Sequence, residues 1–267
     1  METTIHMGQA AGKIHGWLDS DWLRGVSLAQ GLKELLHAHP EALLRSLPTR
    51  QTFPWPSEAP TAIVKRTRGD QFRDRWHDYF RGSPRSPGQR EFENLRDLAR
   101  VGIPVPRPLG WGKMGALSVV LMERVEHSQT LRQLLEQGEE AVDPGQLEDL
   151  AQLVARLHRA GWYHRDLYLE HVIVRPDGSL CLLDLGRARR QASPRSRWLA
   201  KDLGALLHSL PDRIPVGTRL RFLARYLDLC GIRGARTRRG WARAAEQRRA
   251  RIASHAPRHV SSANPAS

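Results

Sequence analysis

The order of apolar and polar positions divides the chain into a strand-rich first half and a helical second half. Residues 18–38, "LDSDWLRGVSLAQGLKELLHA", place apolar side chains at helical spacing in their second half, which predicts a helix there. In "LPTRQTFPWPSEAPTAIVKRTRG" the prolines exclude helix, and "TAIVKR" reads as a short strand. "DYFRGSPRSPGQR", residues 78–90, is rich in Gly, Pro and Ser and reads as a loop. "REFENLRDLARVG" follows as a helix with Phe92, Leu95, Leu98 and Ala99 on one face and Gly102 as its stop. "IPVPRPLGWG" is held extended by its prolines, and "ALSVVLMERVE" is an apolar strand ending at Glu123.

Beyond that point helical periodicity takes over. "TLRQLLEQG" and "GQLEDLAQLVARLHRAG" are helices closed by Gly, and "RWLAKDLGALLHSL" and "RLRFLARYLDLCG" are two more. Between these pairs, "HVIVRPDGSLCLLDL" is two strands joined by an Asp-Gly turn, a strong hairpin signal. The order is α+β, without internal repeats. It predicts an N-lobe over residues 1–122, a C-lobe over 123–231, and a third segment from Ile232 to the end. That last segment is Arg-rich and then Ser/Ala/Pro-rich, which predicts a basic helix or arm followed by a disordered end.

Charge changes the picture. The 267 residues carry 42 Lys and Arg against 28 Asp and Glu, a formal charge of +14, so a polyanionic partner is expected. Nucleic acid is disfavoured, because the basic tract interleaves no aromatic residue except Trp241. An anionic membrane surface or a phosphorylated substrate fits better. Cys181 and Cys230 lie far apart in apolar sequence, the pattern of buried thiols in a reducing compartment. No apolar run spans a bilayer, and the first residues lack a secretion signal. A cytoplasmic location is expected, with the basic arm able to hold the protein on the inner face of the cytoplasmic membrane.

The candidate chemistry lies in "GWYHRDLYLEHVIVRPDGSLCLLDLG", residues 161–186. His164-Arg165-Asp166 follows a helix and precedes the hairpin, so Asp166 sits where a substrate can reach it. Asp184 leaves an apolar strand and is followed by Gly186, which lets the backbone turn sharply. A carboxylate at the end of a buried strand suits Mg²⁺. Taken alone, His-Arg-Asp is a common triplet, and Asp184 could be the cap of a turn. Together, and separated by a hairpin, they match the needs of phosphoryl transfer: one carboxylate at the acceptor hydroxyl, another on the metal that bridges the phosphates. Upstream, Lys65 lies on a strand. Taken alone it reads as an edge lysine whose stem lies along apolar surface. The helix that follows carries Glu91, a partner that would hold its ammonium toward the phosphates of ATP. Glu93, on another face of that helix, is the competing partner.

Taken in order, these residues resemble the lipopolysaccharide kinase (Kdo/WaaP) family. "REFENLRDLARVGIPVPRPLGWG" is similar to the family's glutamate helix and the strand after it, and "HRDLYLEHVIV" to its catalytic loop. "LCLLDLGRARRQ" and "RWLAKDLGALLHSL" are similar to its Asp-Leu-(His/Gly)-Arg-Ala segment and its Arg-Trp-x-x-Lys-Asp-Leu helix. The resemblance covers roughly residues 60–230, and Tyr168, His171 and Arg187-Ala188 separate it from ordinary protein kinases.

The resemblance implies a two-lobed protein-kinase-like fold, with a small β-rich N-lobe and a compact helical C-lobe. It implies an ATP- and Mg²⁺-dependent kinase that phosphorylates a hydroxyl of inner-core heptose or Kdo, or of a similar glycan. By it Asp166 orients and deprotonates that hydroxyl, with Arg165 behind it, and Asp184 binds Mg²⁺. Lys65 holds the phosphates with Glu91 as its partner, and the backbone from Glu123 to Val125 meets adenine. Asp202 fixes the backbone of the catalytic loop. His171 replaces the asparagine of protein kinases, either as a metal ligand or by orienting Asp166.

Two departures matter. No Gly-x-Gly-x-x-Gly precedes Lys65, so the phosphate-covering loop is expected near "SLPTRQTF", with Arg50 or backbone amides in its place. No Ala-Pro-Glu segment follows Asp184, which argues against a peptide-docking platform and for a small or surface-presented acceptor. A kinase of another small molecule or of protein is one alternative. A nucleotide-binding pseudokinase that serves as an interaction module is another, but it would have no need of Lys65, Glu91, Asp166 and Asp184 together.

Overall fold

The computed structural model describes residues 3–5, 13–22, 26–40, 42–56, 61–69, 85–126, 129–137 and 144–254. The chain forms two compact units, residues 1–129 with 173–188, and residues 130–172 with 189–267. Residues 173–188, assigned to the C-lobe from sequence, cluster with the first unit.

The first unit is built on an antiparallel sheet. Its strands are β1 (Thr3–Ile5), β2 (Ile14–Leu18), β3 (Arg45–Leu47), β4 (Arg50–Trp55), β5 (Ala62–Arg68), β6 (Pro108–Met114) and β7 (Leu117–Glu123). They lie in the order β1-β2-β6-β7-β5-β4-β3. Only β5, β7 and part of β6 are legible in the sequence. β3 and β4 pair Leu47 with Arg50 across a turn at Pro48-Thr49, inside the segment read only as non-helical. Pro54 is tolerated in β4 because it lies beyond the residues that β3 pairs with.

Two helices cover the sheet. α1 (Leu28–His37) is capped by Ser27, whose side chain accepts from Gln30 N. Its Leu32, Leu35 and Leu36 pack with Phe53, Val64, Leu109, Val119 and Leu121 to form the core on one face. α2 (Pro87–Arg100) packs on β5, β6 and β7 from the other face. Adjacent strand residues point to opposite faces, so Val64 meets the α1 core while Lys65 points to α2. The helix starts earlier than the loop reading of residues 78–90 allows. Ser86 caps it, Pro87 supplies a first-turn residue that needs no N–H donor, and Gly88 N donates to Ser118 Oγ at 2.9 Å. The rest of that reading, residues 78–84, lies outside the described residues. The hairpin of β10 (Val172–Val174) and β11 (Leu180–Leu182) turns at Asp177-Gly178, and Leu182 N donates to Pro104 O.

In the second unit, β8 (Gln129–Thr130) leads into α3 (Leu131–Gln137). Thr130 and Gln133 cap that helix reciprocally. α4 (Pro144–Arg159), α5 (Ser196–Ser209), α6 (Val216–Leu229) and α7 (Ala235–Ala253) form the bundle. α4 packs on α6 and α5 on α7, around Leu150, Val154, Leu157, Leu203, Leu206, Phe222 and Tyr226. β9 (Trp162–Tyr163) pairs antiparallel with β12 (Arg189–Arg190). The basic segment forms the helix α7, with Ala245 buried in it. Residues 255–267, where a disordered end is expected, lie outside the described residues. Among the described residues no helix is long and apolar enough to cross a membrane.

Candidate active site

In the first unit three charged residues from distant parts of the sequence meet. Lys65 Nζ lies 2.6 Å from Glu91 Oε1 and 3.2 Å from Asp184 Oδ1. Burial, the largest influence on Lys65, disfavours its charge, but Glu91 and Asp184 more than offset it, so its pKa is raised above the ordinary lysine value. The competing glutamate is engaged elsewhere: Glu93 takes Arg85 at 2.8 Å and Gln89 at 3.0 Å. Arg50, at the start of β4, reaches Asp184 Oδ1 at 3.9 Å, in the segment where the phosphate-covering loop is expected.

Asp184 adopts a left-handed backbone, φ 56°, before the short turn Leu185–Arg187, and its side chain makes no capping bond there. The cap reading of this residue therefore fails, since its carboxylate is turned to Lys65 and Arg50. Helix α2 holds the following backbone directly. Asn94 Nδ2 donates to Leu185 O at 2.7 Å and to Ala188 O at 3.1 Å. Sequence reasoning missed Asn94. Its signal was the three-residue spacing from Glu91, which puts both on one helix face. Glu123 ends β7, where its N–H donates to Arg107 O, and Arg124 N donates to Thr61 O. The backbone that leads to Val125 is thus tied on both sides.

In the second unit the residues around His164-Arg165-Asp166 are held by α5. Asp202, fully buried, accepts from His164 N at 2.6 Å and from Arg165 N at 2.7 Å. His158 Nε2 lies 3.3 Å from the same carboxylate, and its Nδ1 lies 2.8 Å from Tyr226 Oη. Burial, the main cause, pushes the Tyr226 hydroxyl far above the phenol range, so it enters this network neutral. Arg165 has φ 77°, a left-handed conformation rare outside glycine. Lys201 donates to the Arg165 carbonyl, and its Nζ lies 3.6 Å from Asp166 Oδ1. Sequence reasoning assigned Lys201 no role, although it is the residue before Asp202. His171 Nδ1 lies 2.9 Å from the Asp166 carbonyl. A carbonyl only accepts, so Nδ1 carries a proton and donates it to this bond.

Among the described residues no group of three or more His, Cys, Asp or Glu could cage a metal ion. Mg²⁺ does not require one, since it is bound through one or two carboxylates plus substrate phosphates and water. Asp184, a partly exposed carboxylate between two cations, fits that donor set.

A family model described as the lipopolysaccharide kinase (Kdo/WaaP) family matches residues 36–226. The curated relatives include 3-deoxy-D-manno-octulosonic acid kinases, of which two are described. That of Xanthomonas axonopodis pv. citri is 34% identical over 142 residues, 52% of this chain and 55% of the relative. That of Xylella fastidiosa is 29% identical over 142 residues, 52% of this chain and 55% of the relative. The chain thus spans about half the length of the curated relatives it matches. Among solved structures, the bifunctional kinase-methyltransferase WbdD is similar at a TM-score of 0.46 and 17% identity, over 76% of this chain and 47% of that chain. The chain belongs to the lipopolysaccharide kinase (Kdo/WaaP) family.

Proposed function

We propose that the protein transfers the γ-phosphate of ATP to a sugar hydroxyl of the lipopolysaccharide inner core, a Kdo or heptose hydroxyl, or of a similar glycan. The observation that carries this reading is the contact of Lys65 with both Glu91 and Asp184. A lysine shared between two carboxylates on a strand, a helix and a post-hairpin turn is the arrangement that presents an ammonium to nucleotide phosphates. Family membership supports the acceptor class.

In this reading Lys65, kept in place by Glu91, binds the nucleotide phosphates, and Arg50 adds a second cation. The backbone at Glu123 and Val125 meets the adenine. Asp184 holds Mg²⁺, which when bound neutralises charge on the phosphates. Asp166 orients the acceptor hydroxyl and takes its proton, with Arg165 behind it. The Nδ1 proton of His171 keeps the Asp166 backbone in place. The +14 charge and the exposed Arg236, Arg239 and Arg243, which share one face of α7, suit an anionic surface at the inner leaflet. Each such arginine adds about 1 kcal/mol near an anionic membrane.

The test is transfer of labelled γ-phosphate from Mg-ATP to dephosphorylated lipopolysaccharide core, comparing the wild type with Asp166→Ala. Transfer that disappears in the variant supports the reading. Nucleotide binding without transfer to any core acceptor overturns the acceptor assignment, and failure to bind nucleotide overturns the kinase reading.

A further inference from the structure

Two consecutive residues of α5 close on one backbone segment from opposite sides. Asp202 takes the N–H groups of His164 and Arg165, and Lys201 donates to the carbonyl of Arg165. The residue between them, Arg165, is the one with φ 77°. Consecutive helix residues diverge by about 100° around the axis, so Lys201 and Asp202, in the second turn of α5, take different backbone groups of the same loop residue. Lys201 has a second contact that Asp202 lacks. Its ammonium stands 3.6 Å from Asp166 Oδ1, and both side chains keep some exposure, 29% and 20%. The ammonium therefore fixes the backbone before Asp166 and faces the Asp166 carboxylate at the same time.

A carboxylate that must accept a proton from a hydroxyl has to present one oxygen along a fixed line, and a misplacement of about 1 Å costs about a hundredfold in rate. The side chain of Asp166 sits on an irregular loop, where the backbone alone does not fix its rotamer. A cation held by a rigid helix and bonded to the preceding carbonyl can. In the family resemblance only the aspartate of the Lys-Asp pair carries an assigned role. We propose that Lys201 is a positioning residue for the Asp166 carboxylate; this inference rests on the kinase reading. Lys201 selects which Asp166 oxygen is left for the acceptor, and it supplies positive charge beside the place where charge develops.

The experiment compares wild type, Lys201→Met and Lys201→Arg, with Asp166→Asn as the inactive control. In Lys201→Met, kcat should fall about a hundredfold while KM for ATP stays within about twofold, because the substitution disturbs alignment without touching the Lys65 contacts. Lys201→Arg, which keeps the charge and a donor, should recover about tenfold of that loss. Amide hydrogen exchange at residues 165–168 should quicken in Lys201→Met and return toward wild type in Lys201→Arg. Two results would overturn the proposal: a Lys201→Met enzyme within about threefold of wild-type kcat, or a Lys201→Arg enzyme no better than Lys201→Met. If the wild type binds no nucleotide, the kinase reading fails. The exchange comparison then decides alone, and equal exchange in all three proteins rejects the positioning role.

Discussion

Gly186 stands directly against Glu91. A β-carbon at 186 would lie 3.1 Å from Glu91 Oε2 and 3.6 Å from its Cδ. The left-handed residue of this turn is Asp184, with φ 56°, so the glycine at 186 provides room for the glutamate rather than a bend. Any side chain at 186 pushes on the carboxylate that holds Lys65. Gly186→Ala should therefore weaken nucleotide binding several-fold and lower folding stability by about 1 kcal/mol, the lower end of overpacking costs. Calorimetric titration with a non-hydrolysable ATP analogue and a denaturant melt check both. Unchanged affinity would show that Glu91 has slack to move.

Lys65 is shared between two carboxylates, so its removal costs more than one contact. Lys65→Met leaves Glu91, with only 6% of its side chain exposed, facing no cation at its Oε1 contact. Breaking one partner of such a buried pair costs about 3–5 kcal/mol, whereas replacing both with apolar residues is often neutral. Urea unfolding should therefore rank Lys65→Met below the double variant Lys65→Met/Glu91→Leu. The pH dependence has a definite sign. Because the folded pKa of Lys65 is raised above 10.5, its stabilising contribution is complete below 10.5 and fades only as pH rises through the higher folded value. The stability that Lys65 contributes should thus be constant across the neutral range. A loss already at mildly alkaline pH would contradict the geometry.

How much of this was legible in the sequence depended on whether local signals and tertiary contacts agreed. The helix with Glu91, the hairpin and the final strand into Asp184 all carry periodic apolar patterns or an Asp-Gly turn, and they lie where the pattern puts them. β2, β3 and β4 were not legible. β2 has only five residues with a glycine at its centre, and β4 contains Pro54 and is followed by Pro56, although Pro54 lies where β4 has lost its second neighbour. The start of α2 was misread because Gly and Pro at residues 87–88 signal a loop when Ser86 is not recognised as the cap. Among candidate site residues, Lys65, Glu91 and Asp184 were nameable in advance and do meet. Asn94 and Lys201 were not, because both act on backbone carbonyls, and a carbonyl leaves no trace in a motif.

The two cysteines offer a chemical test of packing. Burial, the first cause in each case, raises the thiol pKa of both Cys181 and Cys230 above the ordinary value. A raised pKa means less thiolate at any given pH, so both should react slowly with a thiol reagent near neutral pH in the native protein. Both should react at once in denaturant. Rapid native labelling of Cys181, which is wholly buried, would mean that the β11 strand opens locally.

The last prediction concerns α7, whose docking onto α5 depends on Gly204. A β-carbon there would stand 2.5 Å from Arg248 Cβ and 2.9 Å from Ala245 O, distances that no small rotation of a flexible tip relieves. Gly204→Ala should therefore force α7 away from α5, at a cost of about 1–3 kcal/mol from overpacking. The exposed arginines of α7 then become a sensitive reporter, since trypsin cleaves after arginine only where the backbone can unfold into its site. Limited proteolysis should cut within residues 236–251 faster in the variant than in the wild type, while the Lys65 contacts, in the other unit, are left alone. Nucleotide affinity measured on the same sample should stay unchanged. Equal cleavage rates would mean that α7 is held by contacts other than the one at Gly204. A parallel loss of nucleotide affinity would mean that damage in one unit reaches the other.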